Sequence, residues 1–370
     1  MKVICDKNLL LKAFQLVSSV VPTKSSMPVL QNIKLTADEK ILFLSATDFE
    51  IGVQYPIPAE VKEKGSVIIP DHRLGGILRE TLDESITIEN NGGVANLQTK
   101  TSKYKIMCMD VAEYPDFPVF NEKKSVSIHS SGLREMVRKT TFATSQEITR
   151  YALTGLLMEI KKKEMRLVAS DGKRLAYIKR HSEQDIDTDI KVIISPKSLN
   201  LLERVIEEGE QKLRLEIDET QCKILIPQKD IKGILLFSRL IEGSFPDYEN
   251  VIPTDSDKKI IMPAQELLSA MRQVALVTTD KFKATQITLD NNKMSLLTRT
   301  QEVGEADVKI PIKYSGEAFK VTFNPEFFID VLRIIGNEEI TLGLKDKTSP
   351  AVIKQGKDYV YLVMPLTIEM

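Results

Sequence analysis

Val67-Ile68-Ile69-Pro70, Val192-Ile193-Ile194-Ser195-Pro196 and Val321-Thr322-Phe323-Asn324-Pro325 are three versions of one strand-to-helix junction. Leu74, Ile77 and Arg79 follow the first, Leu199, Leu202 and Arg204 the second, and Phe328, Val331 and Arg333 the third. The offsets from the leading valine are the same each time, and the copies lie about 125 to 130 residues apart, a domain-sized period. Local chemistry explains the junction. Ser195 and Asn324 are good helix N-caps, and Pro196 and Pro325 fall in the first helical turn, where a missing N–H costs nothing. The apolar spacing that follows marks one helix face, which should pack on a sheet.

Working outward, a second helix opens each copy. Leu10, Phe14 and Val17 correspond to Leu133, Val137 and Thr140, and then to Leu267, Met271 and Val274. A strand pair follows: Ile33–Leu35 with Ile41–Ser45, Leu156–Ile160 with Met165–Ala169, and Ile287–Leu289 with Met294–Leu297. Their connections, Ala37-Asp38-Glu39-Lys40, Lys161-Lys162-Lys163-Glu164 and Asp290-Asn291-Asn292-Lys293, are polar hairpin turns. Tyr114-Pro115-Asp116-Phe117-Pro118 and Phe245-Pro246-Asp247-Tyr248 close two of the copies and begin linkers. The expected fold is therefore α+β: three repeated domains over 1–122, 123–252 and 253–370, each with two helices on antiparallel sheet. A repeat of this length can hold its own core.

Composition narrows the function. Of 370 residues 42% are hydrophobic, mean hydropathy is −0.13, and no apolar run reaches the ~18 residues of a membrane span. Met1–Asp6 lacks the succession of a signal peptide. Cys5, Cys108 and Cys222 are odd in number, far apart and outside any CxxC, so they are expected to be small hydrophobes in a reducing cytoplasm. The 51 basic and 52 acidic residues give a net charge of −1, which argues against a simple DNA coat and for segregated charge.

Enzyme signatures are missing. The sequence has no GxxxxGK[ST], GxGxxG, HExxH or GxSxG, and His72, His129 and His181 have no metal-ligand spacing. Asp185-Ile186-Asp187-Thr188-Asp189 resembles a calcium loop, but Ile190 occupies the glycine slot and Pro196 the glutamate slot. In the other copies the same place holds Glu60–Lys64 and Lys313–Gly316, which are solvated connections. No catalytic residue, cofactor or metal is expected.

The basic residues do show a pattern. Arg79, Arg204 and Arg333 share one slot on the second helices; Gln15, Arg138 and Arg272 share one on the first. Arg134 lies a turn before Arg138, and Arg73 and Lys197 stand near the starts of two second helices. Solvated helix faces carry arginine routinely, but recurrence in all three copies makes a stripe suited to a phosphate backbone, with no base-reading motif in view.

The whole chain resembles the bacterial DNA polymerase III beta subunit, the sliding clamp. Met27-Pro28-Val29-Leu30-Gln31-Asn32, Thr47-Asp48-Phe49-Glu50, Arg150-Tyr151-Ala152-Leu153-Thr154-Gly155, Ala169–Ala176, Phe245–Tyr248 and Tyr359–Leu366 carry the resemblance in order and spacing. It implies a head-to-tail homodimer whose six domains ring duplex DNA, with helices inside and sheets outside. Its implied partners are double-stranded DNA, the polymerase catalytic subunit, the clamp loader and other proteins with a clamp-binding motif, with no membrane. Ten residues are then expected to face the DNA: Lys24, Arg73, Arg79, Arg134, Arg138, Arg150, Lys197, Arg204, Arg272 and Arg333. A peptide with a glutamine and apolar anchors would enter a groove of Leu153, Ser170, Gly172, Lys173, Arg174, Leu175, Pro246, Val251, Pro350, Leu362, Met364, Pro365 and Leu366. Tyr104 and Ile106 would meet Leu276 and Val277 of the other subunit. Lys173, Asn250 and the tail Thr367-Ile368-Glu369-Met370 depart from the family pattern, the first two where histidine and arginine are common. Two other classes compete, a nucleotide hydrolase or transferase and a scaffold that binds no DNA. The missing phosphate loop opposes the first, and the repeated arginines oppose the second.

Overall fold

Each copy of the repeat folds its two apolar helix faces onto antiparallel strands, in a computed structural model that describes residues 1–206, 210–253 and 255–367, with Ile148 and residues 182–188 described by backbone alone. The helices are α1 (Lys7–Ser18), α2 (Asp71–Glu80), α3 (Ser130–Thr140), α4 (Pro196–Val205), α5 (Ala264–Ala275) and α6 (Pro325–Ile335). Their expected inward positions are buried: Leu10, Phe14 and Val17; Leu133, Val137 and Thr140; Leu267, Met271 and Val274. The arginines at the recurring slots are all exposed. Asn324 caps α6 by accepting the Glu326 N–H at 3.0 Å, and Pro325 fills the first turn behind it. Asp6 caps α1 in the same way, through Asn8 and Leu9.

Two compact units emerge from the contacts. The first is Met1–Arg134 with Lys197–Leu240, the second Glu135–Pro196 with Ile241–Met370. Within the first unit, one five-stranded sheet runs in the order Glu60–Glu63, Lys2–Asp6, Ser85–Asn91, Val94–Gln98, Lys103–Met107. The other has eight strands: Ser125–His129, Lys212–Ile217, Gln221–Ile226, Ile234–Arg239, Ile51–Pro58, Ile41–Thr47, Asn32–Asp38 and Gly65–Pro70. Two repeats meet in that sheet without a gap, through Leu235↔Gln54, Leu236↔Val53, Phe237↔Gly52 and Ser238↔Ile51. Gly52 is required there, since a Cβ would lie 2.1 Å from the Phe237 ring. That ring meets Phe117 edge-on at 5.5 Å, so the segment that closes the first repeat seals the joint.

Within the second unit, a six-stranded sheet runs Leu156–Ser170, Arg174–Ile194, Tyr359–Val363, Ala351–Gln355, Glu339–Leu344, Lys258–Pro263. A four-stranded sheet runs Gly304–Pro311, Lys293–Thr300, Thr285–Asp290, Phe319–Phe323. The C-terminal strand continues the central repeat's sheet by pairing Arg174↔Val363 through Ile178↔Tyr359. The strand pair expected at Leu156–Ile160 and Met165–Ala169 lies in one unbroken extended run, Leu156–Ser170. Its ladder pairs Leu156 with Ile194 but Ser170 with Leu175, and the register steps at Lys162, whose φ of 50° matches the 51° of Glu39 at the equivalent turn. The side chains of Asp185, Ile186, Asp187 and Thr188 lie outside the described residues, whereas Asp189 is exposed.

Candidate functional site

The joint between the C-terminal strand and the central repeat's sheet carries an open apolar cleft of about 160 Å³. It starts in the turn after Leu156–Ser170. Asp171 Oδ1 accepts the N–H groups of Lys173 (2.8 Å) and Arg174 (3.0 Å), and Ser170 Oγ donates to the Arg174 carbonyl at 2.8 Å. Gly172 takes φ 85°, and a Cβ there would sit 2.1 Å from Arg150 Nη1. Met364 N–H donates to the Lys173 carbonyl at 2.8 Å, so the turn also fixes where the last strand ends.

Arg174 holds the turn to the C-terminal repeat. Its guanidinium donates to Asp171 (3.0 Å), Asp330 (2.5 Å) and the Phe142 carbonyl (2.8 Å), and lies over the Phe142 and Phe327 rings. Burial works against its charge, but the Tyr361 oxygen and the Asp330 and Asp171 carboxylates outweigh that and hold its pKa above the usual value.

The cleft brings together Leu153, Ser170, Gly172, Arg174, Leu175, Pro246, Val251, Leu362 and Met364. Lys173, Pro350, Pro365 and Leu366, expected in the same groove, do not line it. Lys173 points its exposed side chain to solvent beside the turn, and Leu366 turns back to donate its N–H to Thr322 O. Phe245, Asp247 and Tyr248 complete the wall. From the sequence their motif marks a linker and carries the family resemblance, and of its four residues only Pro246 is expected in the groove; the aromatic at each end of the motif was the available signal. Asn250 donates to Asp247 at 2.7 Å on the rim.

The basic residues divide. Arg79, Arg138, Arg204, Arg272 and Arg333 are exposed in the last turns of their helices, and Arg73, Arg134 and Lys197 are exposed on α2, α3 and α4. A cation in a helix's last turn is favoured by the macrodipole, which explains the slot but not the use of arginine in every repeat. Lys24 is exposed in the segment before the 3-10 turn Pro28–Gln31. Arg150 stands apart from all of these. It donates to the Asp171 carbonyl at 2.9 Å and covers Gly172, which puts it beside the cleft, at a kink in the 3-10 segment Ile148–Thr154 rather than on one of the six α-helices.

Tyr104 and Ile106 project half-buried from Lys103–Met107, the outermost strand of its sheet. Leu276 is 80% exposed at the C-cap of α5, and Val277 beside it is half-buried. Among the described residues no group of histidine, cysteine and carboxylate side chains forms a metal site, and no helix is long and apolar enough to cross a membrane.

A threefold α+β repeat, joined sheet to sheet and presenting a cleft and exposed arginines, defines a clamp-type accessory protein. Models of the DNA polymerase III beta subunit match its N-terminal domain at residues 1–118, its central domain at 127–247 and its C-terminal domain at 249–367. The beta sliding clamp of Chlamydia muridarum is 30% identical over 369 residues, spanning 100% of this chain and 99% of the relative. Among solved structures, the Pseudomonas aeruginosa polymerase III subunit beta superposes with a TM-score of 0.93 at 27% identity, covering 100% of both chains. A griselimycin-bound clamp from the same organism gives the same values. The chain belongs to the family of bacterial DNA polymerase III beta subunits, the beta sliding clamps. It is a non-catalytic processivity clamp of DNA replication.

Proposed function

We propose that this clamp closes around duplex DNA in the cytoplasm as a head-to-tail homodimer. Three domains per chain, 1–122, 123–252 and 253–370, would make the ring, which tethers the polymerase catalytic subunit, accepts the clamp loader, and serves other proteins with the same peptide motif. The exposed arginine in the second helix of every repeat carries the DNA half of this reading. Lys24, Arg73, Arg79, Arg134, Arg138, Lys197, Arg204, Arg272 and Arg333 face the duplex, and Arg150 moves to the rim of the peptide groove. The groove half rests on the preformed apolar cleft at the sheet joint, whose flexible Met364 suits several partners. A net charge of −1 fits a ring that holds DNA by enclosure, where loose backbone contacts leave it free to slide.

One experiment tests enclosure and contacts together. Clamp loaded on nicked circular DNA should stay bound, and should be released when the circle is cut. Removing Arg79, Arg204 and Arg333 together takes two copies of each from the dimeric ring and should lower the salt dependence of DNA association by about six counterions, equally on any sequence. Retention on the linear form, or an unchanged salt slope, sinks the reading.

A further inference from the structure

Tyr248 forms one wall of the cleft, and its hydroxyl hydrogen-bonds the buried Glu159 at the centre of a partly exposed charge cluster. It donates to Glu159 Oε2 at 2.6 Å, and Glu159 is a carboxylate only 3% exposed. Lys191 Nζ lies 3.2 Å from the other oxygen of Glu159. Arg166 stands behind the pair: its Nη1 donates to Glu249 at 2.7 Å and reaches the Tyr248 oxygen at 3.4 Å, while its Nε donates to Glu164 at 2.6 Å. Tyr177 packs on the Tyr248 ring with centroids 5.9 Å apart. Burial, and then Glu159, push the Tyr248 hydroxyl's pKa up, so it remains a donor.

Glu159, Glu164, Arg166, Tyr177 and Lys191 sit on the sheet, while Phe245, Tyr248, Glu249 and Val251 belong to the segment leading out of the central repeat. A buried carboxylate is tolerated only where donors satisfy it, and here one of its donors is the groove wall. Nothing in the apolar lining of the cleft needs an ion cluster; what the cluster fixes is one ring and the neighbouring Glu249. We propose that Glu159 and Arg166 are positioning residues that hold Tyr248, and with it the wall of the peptide groove, in its open form before any partner arrives. The inference rests on the cleft being the peptide groove. Holding the wall in place beforehand spares the partner peptide the ordering of this segment, which raises affinity without adding a contact.

The test uses the full-length clamp and a fluorescent peptide with one glutamine and two leucine anchors. Tyr248→Phe, which deletes only the hydroxyl, should weaken binding at least five-fold. Arg166→Gln should weaken it about ten-fold, and Arg166→Lys should recover part of the loss. In both weakened variants, amide exchange should quicken at residues 244–251 and stay as in the parent elsewhere. Met364→Ala is the control on the groove itself. If Met364→Ala binds the peptide normally, the groove reading falls. If it loses binding while Tyr248→Phe and Arg166→Gln bind within two-fold of the parent, only the positioning role is overturned. Faster exchange throughout the chain, in proportion to lost affinity, would also overturn it, because the cluster would then be supporting the fold at large.

Discussion

Cys5 and Cys222 occupy the interior of their sheets, and burial pushes both thiols up to about 12 from the usual 9.0. A thiol that high is not a nucleophile near neutrality, whereas Cys108, half-buried on the outer sheet edge, is raised less by the same cause. Mass spectrometry after brief alkylation at pH 8 should find Cys108 labelled first, with Cys5 and Cys222 protected until unfolding. The linkage has a definite sign. Below pH 9 both states hold these protons; above it the unfolded chain releases them while the folded chain keeps them until about pH 12. Urea midpoints should therefore decline as pH rises through that window, and less steeply in Cys5→Ala/Cys222→Ala. Rapid labelling of either buried thiol would contradict the packing. At this scale residue types were a fair guide to burial but a poorer one to direction. Arg150 and Arg174 are both arginines in quoted motifs, yet their roles follow from a turn, Ser170–Arg174, whose hydrogen bonds join residues far apart in sequence.

The helices were legible because their signals are local. Caps, first-turn prolines and i, i+3 apolar spacing all lie within a dozen residues, and the structure buries Leu74, Leu199 and Phe328 as the spacing requires. Sheet continuity was not legible. The strands Ile51–Pro58 and Ile234–Arg239 pair across some 180 residues, and Arg174–Ile194 pairs with Tyr359–Val363, with nothing local to name the partner. The groove followed suit: eight of its expected residues, all but Val251, lie in segments that carry the family resemblance, but what sets Phe245, Asp247 and Tyr248 beside Leu362 and Met364 is packing between segments more than a hundred residues apart. The first joint makes a sharp prediction. Gly52→Ala would drive a methyl into the Phe237 ring, already 7% exposed and packed on Phe117, and should destabilise the clamp by about 1–3 kcal/mol. Phe237→Leu in the same chain should return part of that loss, so that the double variant costs less than the sum in urea unfolding. Strict additivity would mean that the ring is not what Gly52 accommodates.

For the whole molecule the governing question is how two chains close. Lys103–Met107 ends one sheet and Gly304–Pro311 ends another, each with a neighbour on one side only. Exposed sheet edges invite pairing with another chain and are usually blunted by charge or twist. Here Lys103 and Lys105 alternate with the half-buried Tyr104 and Ile106, and Met107 is 77% exposed. Leu276 is 80% exposed, and it follows the last turn of α5. Different surfaces meeting head to tail close into a ring when the rotation permits, and in the dimer proposed here each closure buries these side chains. Replacing Leu276 with alanine and Val277 with lysine removes one apolar anchor and places a charge beside it. The expected product is a folded monomer with the parent's circular dichroism, binding peptide in the groove of each chain, sedimenting at half the mass and failing to stay on circular DNA. Persistence of the dimer in sedimentation equilibrium at micromolar concentration would remove these two residues from the interface and move the search to the sheet edges alone.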